Sequence, residues 1–285
     1  MHSPSRDVGP LADRLLAEFA GYGRTLVAFS GGVDSSVVLA AAVRALGTDD
    51  VAALTSVSDA LPGTERDAAA EFCAQLGVAQ HSVATQEMSN PGYRENGPRR
   101  CYFCKSTLLD AAREHAATHG FDTVVTGTNA SDLAAGFRPG IRAAAERGAR
   151  TPLADAGLDK EAVRGIARLW DLPTWDKPAA ACLSSRIAFG VTISPARLAR
   201  VERAEAAVRG LLTHRHPVRD LRVRDLGDAV RVELDAELVG PVRADPALAE
   251  AINEAGFAGV PLSVAAFRSG SMNELLPDPA RWREG

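Results

Sequence analysis

The sequence is poor in the features that define several common classes of protein. Its 285 residues include only four cysteines, too few for the disulfide framework of a small secreted domain. The formal net charge is −4, which argues against the broad basic surface of proteins that bind long nucleic acids. No apolar run approaches the ~20 residues needed to cross a bilayer, and the N-terminus lacks the apolar core of a signal peptide. We therefore expect a cytoplasmic protein without a membrane or nucleic-acid partner.

Composition and patterning indicate a globular α/β protein with two parts. Hydrophobic residues make up 46% of the chain and charged residues 24%. Apolar strands alternate with helical segments over residues 25–126, which predicts a parallel sheet covered on both faces. After Gly190 the pattern changes to a helix that begins at Ser194-Pro195, followed by short paired strands. We predict a catalytic α/β domain at residues 1–188 and a smaller α+β domain for assembly and substrate closure at 189–285.

Four segments carry expectations about local structure. Asn90–Arg100 is rich in proline, glycine and charge, which indicates a mobile loop. Ala130–Arg150 has little periodicity and is predicted to be a loop or lid. Two later segments, Leu221–Arg224 and Val230–Leu234, alternate polar and apolar residues, which predicts paired strands exposed on one side.

A glycine-rich turn follows the first predicted strand, Thr25–Phe29. Glycine lets the backbone approach an anion closely, and the N–H groups and dipole of the next helix favour phosphate. No lysine follows the glycines, so the turn differs from the phosphate loop of kinases and GTPases and from the G-x-G-x-x-G turn. Asp34 is expected to orient the loop or to meet Mg²⁺; a plain structural turn is the alternative. The predicted nucleotide-binding residues here are Ser30, Gly31, Gly32, Val33, Asp34, Ser35 and Ser36.

Polar residues also follow the predicted strand Phe121–Thr126. Side chains at the carboxyl end of a parallel strand point into the ligand crevice of such a sheet. Gly127, Asn129 and Asp132 are therefore further candidates for binding the nucleotide.

Two of the four cysteines form a C-x-x-C pair, Cys101 and Cys104. Such a pair can bind zinc, bind an iron–sulfur cluster or act in redox chemistry, and a reduced pair without metal is also possible. Cys73 occupies an apolar position of a predicted helix and is interpreted as core.

Cys182 is the candidate reactive thiol. Lys177 and Arg186 flank it in sequence, and nearby cations lower the pKa of a thiol. The alternative is a buried cysteine that acts as a small hydrophobic residue.

These motifs resemble a known family. The string from Ser30 to Ser36 resembles the PP-loop of the ATP-pyrophosphatase superfamily, which includes GMP synthetase, NAD synthetase and tRNA thiolases. Trp175–Ile187, W-D-K-P-A-A-A-C-L-S-S-R-I, resembles the LarE-type ATP-dependent sulfur transferases of nickel-pincer cofactor biosynthesis, and the resemblance covers about residues 11–276. It implies that ATP adenylates a carboxylate of pyridinium-3,5-biscarboxylic acid mononucleotide, which then becomes a thiocarboxylate.

The resemblance implies two alternative sources of sulfur. In one branch of the family the lone cysteine, here Cys182, attacks the adenylate and gives up its own sulfur. In the other branch three cysteines, here Cys101, Cys104 and Cys182, hold a [4Fe–4S] cluster that carries an extra sulfide. The complete three-cysteine set favours the cluster.

The family also implies roles for basic residues and for assembly. Lys105, Cys182 and Arg186 are the candidate catalytic residues. Lys105 would neutralise phosphates; the alternative is a solvated lysine at a helix start. Arg222 and Arg224 share one face of a strand and would contribute to a phosphate or anion site, unless that face is simply solvated. Family members form trimer-based homo-oligomers and act with partner proteins of the pathway. The rivals are a tRNA thiolase and an amide-forming PP-loop ligase.

Overall fold

A computed structural model of the protein describes residues 7–134, 139–178 and 181–275, apart from the side chains of Asn273 and Leu275. Residues 135–138, 179–180 and 276–285, which include parts of the motifs above, lie outside that description. The strands are β1 (Thr25–Ala28), β2 (Val51–Val57), β3 (Ala79–Ala84), β4 (Thr123–Val125), β5 (Leu221–Asp225), β6 (Val230–Leu234) and β7 (Leu262–Ala266). The α-helices are α1 (Gly9–Glu18), α2 (Val33–Leu46), α3 (Gly63–Leu76), α4 (Pro91–Arg94), α5 (Arg100–His119), α6 (Ala130–Ala134), α7 (Pro139–Glu146), α8 (Pro152–Asp155), α9 (Lys160–Leu169), α10 (Pro195–Thr213), α11 (Val239–Arg243) and α12 (Pro246–Ile252). Across the described ranges, none of the helices is long and apolar enough to span a membrane.

The first unit is built on the predicted parallel sheet. Its strands lie in the order β3-β2-β1-β4, and each pair is parallel. All four residues of β1 are buried, as expected for a strand covered on both faces. Val27 packs in a cluster with α1, α2 and α9, whereas Leu26 packs against Ala112 and Ala116 of α5. The α/β prediction is confirmed.

The second unit is the predicted small α+β structure. Its sheet has the order β5-β6-β7, with β5 antiparallel and β7 parallel to β6. The Ser194 side chain accepts from the Arg197 N–H and caps α10, as the Ser-Pro start predicts. The expected exposed face of β5 is wrong, because Arg222 and Arg224 are only 8% and 5% exposed. Ion pairing and ring stacking within this unit cover that polar face.

The division between the units differs from the predicted boundary at residues 188 and 189. The first unit takes residues up to 87 and 101–180, and the second takes 88–100 and 181–282. The reason is a set of side-chain bonds that ties residues 88–100 to the start of the second unit. The buried Asn96 amide donates to the carbonyls of Ile187 and Ala188 at 3.2 and 2.8 Å, and Tyr93 Oη lies 2.5 Å from Ser184 Oγ.

Two segments predicted as loops contain helices. Within Asn90–Arg100, Asn90 accepts from the Gly92 N–H and starts α4, so the segment is not a loop throughout. Ala130–Arg150 contains α6 and α7, and α7 buries Ala143 and Ala144. Alanine has the highest helix propensity, and its small side chain packs closely without an obvious periodic signal.

Three histidines cluster at the edge of the parallel sheet. His81 lies on β3, and His115 and His119 lie one turn apart on α5. The ring centroids are 4.4 Å apart for His81 and His115 and 3.9 Å apart for His115 and His119. Burial lowers the pKa of His81, with a further contribution from His119, and burial with both neighbouring imidazoles lowers the pKa of His115.

This cluster predicts acid sensitivity of the fold. Below the ordinary histidine pKa of 6.5 the unfolded chain takes up protons that the folded chain resists, so the free energy of unfolding should fall as pH drops. Urea unfolding between pH 7.5 and 5 should show a flatter pH dependence for His115→Gln than for the wild type. His214→Gln, an exposed position at the end of α10, is the matched control. Equal slopes for His115→Gln and the wild type would contradict the prediction.

Candidate active site

The predicted loop forms an anion-binding helix start. Gly31 has a φ of 71°, a left-handed conformation that glycine adopts without strain, and Gly32 is the N-cap of α2. No side chain caps this end of α2, so the N–H groups of its first turn point to the space in front of the loop. Ser35 Oγ donates to the Gly32 carbonyl at 3.0 Å and lies 3.2 Å from Ser30 Oγ. These bonds hold the loop in shape without occupying the helix N–H groups.

The end of β4 packs against this loop, as the sequence predicts. A Cβ at Gly127 would lie 2.8 Å from the Ser35 nitrogen, so only glycine fits there. Buried Asn129 donates to Asp34 Oδ1 at 3.0 Å, and its own side-chain oxygen accepts from the Asp132 N–H at 3.0 Å. Lys160, which the sequence analysis missed, donates to the other Asp34 oxygen at 3.0 Å. The Asp34 carboxylate is thus held by two donors from separate parts of the chain.

A cavity of about 300 Å³ opens in front of the loop. Its lining includes the polar residues Ser30, Asp34 and Asp132 and the apolar residues Leu61 and Leu108. Among the predicted loop residues, Val33 and Ser36 are buried beneath the surface rather than lining the cavity. A helix start with both polar and apolar lining residues suits a nucleotide, whose phosphates are charged and whose base has apolar faces.

Lys105 lies in the wall of this cavity and not at a solvated helix start. Burial lowers the pKa of its ammonium, and the neighbouring Cys104 thiol opposes that shift. A desolvated cation in a nucleotide-sized cavity gains favourable interaction when an anion enters.

Lys177 is a second residue whose position the sequence does not reveal. Its ammonium donates to the Gly31 carbonyl at 3.0 Å and to Glu65 Oε2 at 2.7 Å. Both side chains of this ion pair are 22% exposed. Lys177 is a neighbour of Cys182 in sequence, but its ammonium contacts the loop and α3. It holds the carbonyl of Gly31, the glycine in the left-handed conformation.

In the second unit, Arg186 organises the backbone around Cys182. Cys182 is exposed and immediately precedes the 3₁₀ turn Leu183–Arg186. The Arg186 guanidinium donates to the carbonyls of Ala181 and Cys182 and forms two bonds to Glu205, at 2.9 and 3.2 Å. Glu205 also accepts from the Val223 N–H at 3.0 Å. The interpretation of Cys182 as a buried hydrophobic residue is wrong.

Arg222 and Arg224 belong to the same charged cluster. Arg224 pairs with buried Glu233 at 2.9 Å and donates to the Ser185 carbonyl at 3.2 Å. Arg222 lies over the Phe267 ring at 5.4 Å and donates to the Leu221 carbonyl. Burial lowers its pKa, followed by the charge of Arg186, while Glu205 opposes the shift. This mostly buried group also includes Arg186 and Glu205, and Asp220 acts on Arg222 as well. Its guanidinium donors suit an anion.

The other cysteines differ in their accessibility. None of the four forms a disulfide. Cys101 is exposed and Cys104 is half-buried in the first turn of α5, whereas burial raises the pKa of Cys73 to about 11. Cys73 is a core residue, as predicted. Across residues 7–134, 139–178 and 181–275, no three His, Cys, Asp or Glu side chains are grouped to hold a metal ion, and the cluster stays a prediction.

Two proteins are similar to the chain over nearly its whole length. A protein of Synechocystis sp., described as uncharacterised, is 41% identical over 90% of this chain and 95% of its own. The pyridinium-3,5-bisthiocarboxylic acid mononucleotide synthase of Lactiplantibacillus plantarum is 32% identical over 92% of this chain and 93% of that enzyme. The chain belongs to this LarE-type family.

Shorter matches agree with membership of the LarE-type family within the PP-loop superfamily. The NAD synthase family matches residues 16–138, and a glutamine-dependent NAD(+) synthetase of Xylella fastidiosa is 44% identical over 66 residues. That local match covers 23% of this chain and 12% of the synthetase. The protein is therefore an ATP-using enzyme of the PP-loop type, and the fold predicted from the sequence is confirmed.

The Lys177 contacts predict an effect on ATP binding. Lys177→Met should weaken ATP binding about tenfold, because the Gly31 carbonyl and Glu65 lose a charged donor worth about 1.5–3 kcal/mol. Glu65→Gln should have a smaller effect in the same direction. Calorimetric titration with ATP measures both, and Asp67→Asn, at an exposed carboxylate on the same helix, is the control. An unchanged ATP affinity in a folded Lys177→Met protein would contradict this role.

Proposed function

We propose that the protein uses ATP to convert a carboxylate of pyridinium-3,5-biscarboxylic acid mononucleotide into a thiocarboxylate. The observation that carries this proposal is the full-length similarity to the synthase, combined with an exposed cysteine in the W-D-K-P segment. A carboxylate is a poor electrophile, so it must first gain a good leaving group. ATP supplies that group as AMP.

Adenylation uses the cavity of the first unit. The open N-terminus of α2 binds the phosphates, and Lys105 offsets their charge. Asp34 and Asp132 present carboxylate oxygens to the same cavity, the ligands that Mg²⁺ prefers. A substrate carboxylate oxygen bonds to the α-phosphorus, the bond to the bridging oxygen breaks, and pyrophosphate leaves.

Sulfur transfer uses the cysteines. In the sacrificial form, the Cys182 thiolate attacks the acyl carbon and AMP leaves. Loss of the Cα proton and cleavage of the Cβ–Sγ bond then leave the sulfur on the product and dehydroalanine in the chain. Arg186 holds the carbonyl of Cys182 and so fixes the backbone from which the thiol projects.

The cluster-bearing form is the one we favour. The three thiols that would hold it are accessible to different degrees, while the fourth is buried in the core. Soft thiolate donors suit iron–sulfur clusters, so Cys101, Cys104 and Cys182 fit the ligand set. These three cysteines would hold the cluster, which would supply sulfide-level sulfur for transfer to the adenylate.

The arginine cluster of the second unit is the proposed site for the phosphate of the substrate. Guanidiniums bind phosphate in a bidentate manner, and Arg222 and Arg224 lie in the same unit as Cys182. The smaller domain would thereby serve substrate closure. A trimer-based homo-oligomer, partner proteins of the pathway and a cytoplasmic location are proposed from the family resemblance.

The rival functions are not favoured. A tRNA thiolase would carry a basic face or an added RNA-binding module, whereas the net charge is −4. An amide-forming ligase needs no reactive cysteine, whereas Cys182 is exposed. The NAD synthetase similarity is confined to a part of the chain that ends before Cys182.

Substitution of the cysteines distinguishes the two sulfur sources. Cys182→Ala should release pyrophosphate with ATP and the biscarboxylated nucleotide but form no thiocarboxylate. If a cluster is present, Cys101→Ser and Cys104→Ser should lose the iron, about four per chain in the anaerobically reconstituted wild type, together with repeated turnover on added sulfide. Iron analysis and intact-protein mass are measured together.

Cys73→Ala, which removes only the buried thiol, is the control and should keep iron and turnover. A colourless wild-type protein whose mass drops by one H₂S per turnover would contradict the proposal of a cluster. Full thiocarboxylate formation by Cys182→Ala would contradict both proposed sources of sulfur.

The arginine cluster predicts a separate effect on substrate binding. Arg222→Gln should raise the KM for the biscarboxylated nucleotide at least tenfold and leave the KM for ATP unchanged, because it removes one phosphate donor from the second unit. Steady-state pyrophosphate release measures both constants, with thermal unfolding as a check on the buried position. Arg219→Gln, an exposed neighbour, is the control. Parallel increases in both KM values would argue against a phosphate site.

A further inference from the structure

A buried carboxylate lies behind the wall of the nucleotide cavity. Ser56 lines the cavity at the end of β2, and its hydroxyl is 2.5 Å from that of Thr85. Thr85 in turn donates to Glu87 Oε1 at 2.9 Å. Thr85 is 9% exposed and Glu87 only 2%. These three side chains form a relay from the cavity to a buried negative group, and neither the sequence motifs nor the mechanism above uses it.

The relay fixes the direction of each hydroxyl proton. A carboxylate oxygen only accepts, so the single Thr85 proton goes to Glu87. The second oxygen, Glu87 Oε2, has no hydrogen-bond partner in the described part of the chain, so turning the Thr85 proton away would leave this buried group without a donor. Thr85 must therefore accept from Ser56. The Ser56 proton points into the protein, and its oxygen presents lone pairs to the cavity.

Thr55, the neighbouring residue on β2, projects from the opposite face of the strand and is buried. Its hydroxyl donates to the Phe29 carbonyl at 3.2 Å and accepts from Gln80 Nε2 at 2.9 Å. Thr55 also lines the cavity. Of these two hydroxyls, only that of Ser56 shares the face of β2 that carries Leu54, and it offers an acceptor and no donor to a ligand. We call this surface the acceptor-only wall.

The position of this wall indicates which part of a nucleotide it meets. β2 lies next to β1, and neighbouring strands are about 4.8 Å apart, so the wall is one strand away from the phosphate-binding loop. Leu54, Leu61 and Leu108 supply apolar surface to the same cavity. A purine has apolar faces and a polar edge, so its faces suit the leucines and its edge suits the Ser56 hydroxyl.

We propose that Ser56, at the acceptor-only wall, selects adenine over 6-oxopurines by accepting a hydrogen bond from the exocyclic amino group. This inference rests on the proposed binding of ATP in the cavity. The oxygen of a 6-oxopurine would instead place its lone pairs against those of the Ser56 hydroxyl, with no proton between them. Glu87 and Thr85 are positioning residues, since they act through Ser56 and do not touch the base.

Binding of ATP and ITP to the purified chain tests the proposal. The wild type should bind ATP about 10- to 100-fold more tightly than ITP, the range for one lost hydrogen bond with an unpaired acceptor. Thr85→Val keeps the shape of Thr85 but frees the Ser56 proton to turn toward the cavity, so the ATP-to-ITP ratio should fall about tenfold. Glu87→Gln, whose amide can donate to Thr85 and reverse the relay, should lower the ratio without a buried unpaired charge.

The controls separate specificity from folding and from the proposed function. Thr85→Ser restores the hydroxyl and should retain the ratio, and Ser82→Ala removes an exposed hydroxyl from β3, the strand that ends just before Thr85. An unchanged ATP-to-ITP ratio in folded Thr85→Val and Glu87→Gln proteins would overturn the inference. So would a change confined to the ratio of ATP to 2′-deoxy-ATP, which would assign the wall to the ribose. Failure of the wild type to bind any nucleotide would instead overturn the proposed function.

Discussion

The site of the first unit depends on an uncapped helix start that carries a carboxylate. The first turn of α2 attracts anions, but Asp34 in that same turn repels them. Asn129 and Lys160 hold the two oxygens of Asp34, so its charge is partly offset and its position is fixed. The loop can then bind phosphates while keeping a carboxylate available for a metal ion. The close approach of Gly127 to Ser35 brings Asn129 into reach, which links the end of β4 to the loop.

The sequence predicts those parts of this site that arise from interactions between residues close to one another in sequence. The buried strand, the two glycines and the polar first turn of the helix lie within a dozen residues and determine one another. The residues after β4 could be predicted as well, since carboxyl ends of parallel strands meet at one edge of a sheet. Lys160 and Lys177 could not, because their partners Asp34 and Gly31 lie 126 and 146 residues away. The residues around Lys177 associate it with Cys182 and not with the loop, and the residues around Lys160 do not distinguish it from a solvated surface cation.

In the second unit, the sequence prediction for β5 failed for a different reason. Alternation of polar and apolar residues in β5 predicts that the polar side faces water, but the same alternation also fits a side that faces buried countercharges. Glu233 and Glu205 supply these countercharges to Arg224 and Arg186. Charge pairing across strands and helices leaves no local signature, so periodicity alone cannot distinguish a solvated face from a charged interior.

The two units also differ in how general their chemistry is. The match to the NAD synthase family, residues 16–138, includes the loop and Lys105 but ends before Cys182 and the arginine cluster. Activation by ATP needs the same groups whatever nucleophile follows. The ATP-binding part of the chain can therefore be shared between amide-forming and sulfur-transferring enzymes. The identity of the nucleophile must be set elsewhere. Cys182 and the buried arginines belong to one unit, joined through Arg186 and Ser185, so the thiol and the proposed phosphate site are held by one network. Sulfur transfer would then depend on the second unit as strongly as adenylation depends on the first.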